Sequence, residues 1–198
     1  MDLQREGAGM TYRHDLWEIA AENHGIVTTR QADDAGVPAV EVRKLASRTA
    51  LERVGHGVYR HRGVPVDEWT ELAAALAGVG EDAFLEGDTV LAMFGLALVN
   101  PHKIHVGTRR RWRNQPPRNT VVTVRSDVTE DDLTTHQGLR CVTVRRALIE
   151  GIPRLIRERV LDAVTDARRR DLIDELEATE IIGAVAGRDR LLALATRN

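Results

Sequence analysis

The spacing of apolar residues predicts three helices near the N-terminus. Leu16, Ile19 and Ala20 recur at three and four positions, so they share one face of the first helix. Thr28 and Gln31 have the spacing of a capping box, in which a hydroxyl and an amide satisfy backbone groups at the start of the second helix. In the third helix, apolar and charged positions separate onto opposite faces. These helices are predicted over Arg13–Asn23, Thr29–Ala35 and Ala39–Arg48.

Strand patterns complete this N-terminal segment. Ile26–Thr28 is a short extended piece between the first two helices. Leu51–Val54 and Val58–His61 are extended runs on either side of Gly55-His56-Gly57, whose glycines allow the tight turn of a hairpin. The order helix, strand, helix, turn, helix, hairpin predicts a winged helix-turn-helix.

Beyond Gly63 the pattern predicts a second, mixed domain. Helices are expected over Asp67–Ala77 and Asp88–Leu98, with Asp88 as the cap of the latter. Three strands are then expected, at Lys103–Val106, Thr120–Arg125 and Leu139–Val142. From Val144 onward the chain is expected to be helical. The predicted fold class is α+β, an N-terminal winged helix-turn-helix followed by a mixed α/β C-terminal domain that ends in helices. We expect a flexible tail over residues 1–12 and domains over 13–63 and 64–198.

Composition limits the class of protein. With 29% charged and 42% hydrophobic residues, the chain has the composition of an ordinary folded protein. Its longest uncharged stretch after Asp88 is interrupted by glycine, asparagine and proline and falls short of the ~20 apolar residues of a membrane span. The N-terminus lacks the apolar segment of a secretory signal, and the single cysteine, Cys141, excludes an internal disulfide framework. We therefore expect a cytoplasmic protein with no membrane partner.

The net charge of −2 hides a strong local polarity. Val64–His102 holds seven acids and no Lys or Arg, whereas Lys103–Arg125 holds seven Lys or Arg and no acid. Ala39–Gly63 holds six basic residues against two acidic ones. Such segments indicate a surface that binds a phosphate backbone or an acidic partner, although a charge run is also typical of a solvated face.

Three elements of the N-terminal domain carry side chains suited to DNA. The third helix presents cations that donate to phosphates or guanine edges and a glutamate that accepts from cytosine. The second helix begins with polar residues where backbone amides and the helix dipole favour a phosphate. The alternative is a solvated helix face beside a structural hairpin. The predicted DNA contacts are Glu41, Arg43, Lys44, Ser47 and Arg48 in the third helix, Thr29, Arg30 and Gln31 in the second, and His56 and Arg60 in the hairpin.

The loop between the first two C-terminal strands is rich in arginine and contains one tryptophan. Arginine beside an indole suits stacking on a nucleic-acid base or anchoring in a protein interface. A flexible cationic loop is the equally open alternative. The residues in question are Arg109, Arg110, Arg111, Trp112, Arg113 and Arg118.

Signals of enzymatic chemistry are weak, and we predict no catalytic site, metal site or cofactor. A nuclease of the restriction type needs an acid two residues before a lysine, yet neither Lys44 nor Lys103 has one. Glu86 and Asp88 are close enough in sequence for acid-base work, but a helix-capping role is the better interpretation. Four side chains have the chemistry of zinc ligands but no usual spacing, namely His102, His105, His136 and Cys141.

Residues 25–60 resemble the N-terminal winged helix of AbiEi-type antitoxins and regulators. The shared motifs are Gly25-Ile26-Val27-Thr28, Gln31-Ala32, Gly36-Val37 and the wing Leu51–Arg60. Further along, Gly138–Thr143 followed by Arg146-Ala147-Leu148 is similar to the turn that leads into an Arg-Thr-Leu helix in that family. Pro38 and Thr49 depart from the residues that often cap and end the third helix, which leaves the docking angle open.

The resemblance implies a DNA-binding domain over 13–63 and an antitoxin or partner-binding domain over 64–198. It implies an antitoxin that binds inverted repeats of double-stranded DNA in its own promoter, as a homodimer on DNA, and represses its operon. It also implies that the protein counteracts a cognate nucleotidyltransferase toxin. Two alternatives stay open: a winged-helix regulator or protein-binding adaptor without a toxin partner, and a nucleic-acid-processing C-terminal domain.

Overall fold

The computed structural model describes residues 3–195 of the chain, with side chains described from Thr11 to Ala193. Over this range the chain has a mixed α+β fold of eight helices and two sheets. The N-terminal elements are α1 (Leu3–Glu22), β1 (Ile26–Thr28), α2 (Thr29–Asp34), α3 (Ala39–Ser47), β2 (Leu51–Gly55) and β3 (Val58–His61). The C-terminal ones are α4 (Thr70–Val79), β4 (Ala83–Leu85), α5 (Gly87–Met93), β5 (Ile104–Thr108), β6 (Thr120–Val124), β7 (Leu133–His136), β8 (Leu139–Val142), α6 (Val144–Gly151), α7 (Arg157–Arg169) and α8 (Glu175–Ala195).

The N-terminal elements agree closely with the sequence pattern. Leu16 and Ala20 are fully buried on one face of α1, and Gly25 adopts the expected left-handed conformation with φ of +82°. The capping box at the start of α2 is present: the Thr28 hydroxyl accepts from the Gln31 amide at 3.1 Å, and the Gln31 side chain accepts from the Thr28 amide at 2.9 Å. The local preferences that the sequence shows in this segment are therefore present in the structure.

The start of α1 differs from the prediction. A flexible tail was expected over residues 1–12, but the helix already begins at Leu3. Residues 3–12 contain no proline, and the good helix formers among them outnumber the two glycines Gly7 and Gly9, so the helix continues toward the N-terminus. The first two residues of the expected tail lie outside the described part of the chain.

The three N-terminal strands form an antiparallel sheet in the order β1, β3, β2. Because side chains alternate across a strand, Val27 and Tyr59 pack into a core with the helices α1 to α3, whereas Ile26 and Val58 face α4 and join the C-terminal core. The sheet is therefore shared between two cores, and it joins the N-terminal module to the rest of the molecule.

The C-terminal sheet has five strands in the order β6, β5, β4, β8, β7. Strand β4 is its centre, antiparallel to β5 and parallel to β8. Two strands, β4 and β7, were not predicted. Strand β4 is a three-residue run without β-branched residues, and β7 is an edge strand of mostly polar residues, so neither shows a clear period of two.

Two predicted helices also have different bounds. The first begins at Thr70, because Asp67 accepts hydrogen bonds from the backbone of Trp69 and the hydroxyl of Thr70 and so forms a turn ahead of α4. The second ends at Met93, since Gly95 and the two residues after Leu96 have positive φ. Asp88 does not cap it: Glu86 is the N-cap residue, without a side-chain cap, and Asp88 lies in the first turn.

Candidate nucleic-acid interface

Helix α3 is fixed to the protein by one face and exposes the other. Val42 and Leu45 are buried in the N-terminal core. The opposite face carries a row of exposed polar side chains at helical spacing. These are Arg43, Lys44, Ser47 and Arg48.

Some exposed side chains of α3 have a partner within the protein and others have none among the described side chains. The Lys44 ammonium donates to the Glu41 carboxylate at 2.7 Å, and the Ser47 hydroxyl donates to the Lys44 carbonyl at 2.8 Å. By contrast, the guanidinium groups of Arg43 and Arg48 make no ion pair or hydrogen bond within the part of the chain whose side chains are described. Arg43 and Arg48 are therefore the cations on this helix that are free to meet a ligand.

The residues expected at the start of α2 lie on a second surface. Thr29, Arg30 and Gln31 line a cleft of about 590 Å³ between the N-terminal module and the C-terminal domain. His56 at the hairpin tip lines the same cleft, and so do Arg110 and Arg140. None of the α3 side chains lines it. The structure thus divides the predicted DNA contacts into two groups.

Two of the predicted phosphate contacts already have partners. The Arg30 guanidinium lies 2.8 Å from the carboxylate of Glu81, and the Gln31 side-chain oxygen is held by the capping box. A phosphate at this position would have to displace Glu81 from Arg30. The backbone start of α2 is therefore less available than the sequence suggested.

One predicted DNA contact in the hairpin, Arg60, already forms an ion pair within the protein. Glu52 and Arg60 lie opposite each other on β2 and β3, and their side chains are 2.7 Å apart. Hydrogen bonding and charge from Arg60 lower the pKa of Glu52, so this ion pair persists at neutral pH. Arg53, which the sequence reading passed over, is exposed near the hairpin tip and donates to the carbonyl of Gly55 at 3.2 Å. Strict alternation would place Arg53 on the face of the buried Leu51, so the sequence pattern did not indicate its exposure, which coincides with the register shift between Arg53 and Gly55.

The arginine-rich loop is only partly a free cationic surface. Arg109 pairs with Glu130 and Arg110 pairs with Asp82. The Trp112 ring nitrogen is buried and has no hydrogen-bond partner among the described residues, so this edge of the indole faces the protein. The exposed cations of the loop without an ion pair in the described side chains are Arg111, Arg113 and Arg118.

The acids considered for catalysis are held by arginines. Glu86 is buried and pairs with Arg125, which also binds Glu150 and Asp127. Burial raises the pKa of Glu86, although the charge of Arg125 opposes the shift. Asp88 instead binds Arg154 at 2.7 Å. Glu86 and Asp88 therefore have separate structural partners.

The four side chains with zinc-ligand chemistry do not form a metal site in the described structure. Within its residues, no three His, Cys, Asp or Glu side chains are grouped so as to hold an ion. Burial raises the pKa of the Cys141 thiol to about 11, which keeps it protonated. His136 packs against the rings of Phe94 and Trp69, with centroids 4.4 and 5.7 Å away. In addition, no helix of the described chain has both the length and the apolar character needed to span a bilayer.

Comparison with known proteins identifies the N-terminal module. Residues 15–60 match a family of transcriptional regulators. The family is described as "Transcriptional regulator, AbiEi antitoxin", so the AbiEi-type resemblance predicted from the sequence is confirmed over this segment.

Two further comparisons were made with the chain as a whole. A crystal structure of the RV2827C protein from Mycobacterium tuberculosis is similar, with a TM-score of 0.47 and 15% sequence identity, over 88% of this chain and 77% of that one. No curated protein matches the chain in sequence.

Proposed function

We propose that the protein is a DNA-binding antitoxin whose N-terminal module is a winged helix-turn-helix and represses its own operon. The observation that carries this proposal is the exposed face of α3, where Arg43 and Arg48 have no ion-pair partner among the described residues. An exposed cationic helix is the element that enters a major groove in helix-turn-helix proteins. The match of this segment to AbiEi-type regulators supports the same role.

The contacts we propose follow from which charges are free. Arg43 and Arg48 bind phosphates or guanine edges, Lys44 and Ser47 lie between them along α3, and Glu41, paired with Lys44, precedes Arg43. His56 and Arg53 contact the adjacent backbone from the hairpin. Thr29, Arg30, Gln31 and Arg60 contribute less, because Arg30 and Arg60 neutralise Glu81 and Glu52 and Gln31 caps α2.

The double variant Arg43→Ala/Arg48→Ala is expected to bind DNA from upstream of its own gene about 10- to 100-fold more weakly. If both arginines contact phosphates, the slope of log affinity against log salt should also become shallower by up to about 2, because about 0.9 is lost for each phosphate contact. Fluorescence anisotropy with a labelled duplex over a range of salt measures both quantities.

The matched control is Arg159→Ala/Arg190→Ala, which removes the same charge from exposed positions without ion pairs in the described structure, on α7 and α8. It should leave affinity nearly unchanged. Equal losses for the two double variants would mean that only net charge matters. Unchanged binding by the α3 variant would contradict recognition by this helix.

We further propose that the partner is a nucleotidyltransferase toxin encoded next to the gene, and that two copies of the antitoxin bind the inverted repeats of the promoter. Two-fold related half-sites are the usual target of dimeric helix-turn-helix proteins. The proposal of a toxin rests on the AbiEi-type match.

Co-expression with the neighbouring toxin separates the two activities. Arg43→Ala/Arg48→Ala should still restore growth as well as the native chain does, since we assign those residues to DNA.

A variant with alanine at Arg111, Arg113 and Arg118 tests the loop. If this variant no longer restores growth but keeps its DNA affinity, the loop binds the toxin. If it restores growth but loses DNA affinity, the loop binds DNA. Toxicity that the native chain does not relieve would contradict the antitoxin role and favour a regulator or adaptor without a toxin.

A further inference from the structure

His24 connects three parts of the molecule. It lies in the turn between α1 and β1, and its side chain is mostly buried, with 18% exposed. Its Nδ1 lies 2.7 Å from the Asp67 carboxylate, in the segment ahead of α4, and its Nε2 lies 2.7 Å from the backbone carbonyl of Gln137, in the turn between β7 and β8. One imidazole therefore connects the N-terminal module to two places in the C-terminal part of the chain, the segment ahead of α4 and the β7–β8 turn.

Both partners of the ring are acceptors only. A backbone carbonyl carries no proton, and a carboxylate carries none while it is ionised. Although partial burial opposes ionisation, hydrogen bonds from His24, Thr70 and the Trp69 backbone lower the pKa of Asp67, so its carboxylate is ionised at neutral pH. A neutral imidazole has a single N–H and can donate to one of these oxygens, not to both. The two contacts of 2.7 Å can both be hydrogen bonds at the same time only in the imidazolium form.

We propose that His24 is a proton-dependent clasp, which in its doubly protonated form ties the α1–β1 turn to Asp67 and to the β7–β8 turn. Loss of one proton places a ring lone pair against an oxygen lone pair, so one of the two contacts opens. The two cores remain joined through Ile26 and Val58 of the shared sheet, so the opening is local to the two turns.

The surroundings of the ring favour this assignment. Burial by itself would lower the pKa of His24, but the hydrogen bond to Asp67, the hydrogen bond to the Gln137 carbonyl and the charge of Asp67 outweigh it and raise the pKa. Glu22 and Arg140 line the same cleft, and Arg140 is bound to Glu130 at 2.8 Å.

A further titratable group near His24 is His136, which precedes Gln137 in the chain. Its ring packs against Phe94 and Trp69. Among the described residues, Asp67 is therefore the charged group in direct contact with the His24 ring.

Backbone strain at the two turns is consistent with a built contact. His24 has φ of +52° and Gln137 has φ of +50°, a left-handed conformation that is uncommon outside glycine and is found more often for asparagine, aspartate and histidine than for glutamine. Such residues persist where the surrounding contacts hold them in place.

The proposal fixes the sign of a pH effect. Because the folded-state pKa of His24 is raised, its contribution to stability is complete below the ordinary histidine pKa of about 6.5 and is lost as the pH rises through the folded-state pKa. The inference concerns the chain alone and does not depend on DNA or toxin binding.

The test uses the full chain and two variants. The first measurement is an NMR titration of the His24 ring protons, which should give a pKa above the ordinary value in the native chain and a lower one in Asp67→Asn. The second is amide hydrogen exchange in the two turns of the native chain and of His24→Asn, compared at the same pH so that intrinsic rates cancel. Asparagine tolerates the left-handed backbone at this position but is too short to reach both acceptors.

At about pH 6 the amides of both turns should exchange about tenfold faster in His24→Asn than in the native chain, as expected on losing a charge-assisted hydrogen bond. At about pH 9 the difference should persist at one turn at most and disappear at the other, since the neutral native ring can donate to only one of the two oxygens. His14→Gln is the matched control: His14 is exposed on α1, 3.3 Å from the Glu18 carboxylate, and its replacement should change neither turn. A native His24 that titrates at or below the ordinary value, or an exchange difference that is equal at both pH values in both turns, would overturn the proposal.

Discussion

Replacing Arg125 with methionine is expected to lower the free energy of unfolding by about 3–5 kcal/mol at neutral pH. Arg125 is 15% exposed and lies between Glu86, which is 6% exposed, and Glu150, which is 16% exposed. Methionine fills most of the space but leaves Glu86 without its cation, whereas Glu150 still pairs with Arg146 at 2.7 Å. An uncompensated charge in a buried site is costly, so the effect should exceed that of a surface ion pair.

The cost of this substitution should depend on pH with a defined sign. Burial raises the pKa of Glu86 in the folded protein, and removal of Arg125 raises it further. A raised folded-state pKa means that the penalty is absent below the ordinary glutamate pKa of about 4.3 and develops as the pH rises through the folded-state value. Urea unfolding of the native chain and Arg125→Met should therefore differ less near pH 4 than near pH 7.

Two further variants show whether the buried charge is the cause. Arg125→Met/Glu86→Gln removes the carboxylate that lost its cation and should recover part of the loss. Arg154→Met removes a half-exposed arginine paired with Asp88 and should cost less than about 1 kcal/mol. A double variant no more stable than Arg125→Met would show that lost packing, and not the charge of Glu86, dominates.

The N-terminal module was predictable because its signals are local. A capping box, a glycine in a left-handed turn and a hairpin around two glycines each depend on neighbours within a few residues, and each is present in the structure. Strand β4 gave no such signal. Ala83–Leu85 forms the centre of the C-terminal sheet because strands β5 and β8, far away in the sequence, cover both its edges.

The sequence predicted which side chains of the candidate site are exposed, but not which of its charged side chains form ion pairs within the protein. Helical periodicity correctly placed Arg43 and Arg48 on the face opposite Val42 and Leu45. The pairing of Arg30 with Glu81 joins residues that are 51 positions apart in the sequence, and no local pattern predicts it. The pairing of Arg60 with Glu52 could have been predicted, because the hairpin register places these two residues opposite each other.

Ion pairs within the fold explain part of the charge polarity along the chain. Acids of the segment Val64–His102 bind cations of the segment Lys103–Arg125, as Glu86 binds Arg125 and Asp82 binds Arg110. The segment that reads as one cationic run therefore contributes a smaller free surface, formed by Lys103 and the three unpaired arginines of the loop. The number of unpaired cations therefore does not by itself select α3; the proposed DNA contacts depend on α3 because it is an exposed cationic helix within the segment that matches the regulator family.

Replacing Phe84 with alanine should cost about 3–5 kcal/mol, because its ring is fully buried in β4 at the centre of the C-terminal core. The same ring explains a glycine on the neighbouring strand. Gly107 pairs with Phe84 across β4 and β5, and a Cβ at Gly107 would overlap the Phe84 ring. Gly107→Ala is therefore expected to cost about 1–3 kcal/mol by overpacking.

The two substitutions should not be additive, since alanine at position 84 vacates the space that a Cβ at position 107 needs. In the Phe84→Ala background, Gly107→Ala should cost clearly less than it does in the native chain, as measured by urea unfolding of all four proteins. Gly183→Ala is the control, because a Cβ there meets no atom within 4 Å and alanine favours the helix. If Gly107→Ala costs the same in both backgrounds, the requirement for glycine at this position arises from the backbone of β5 and not from the aromatic ring beside it.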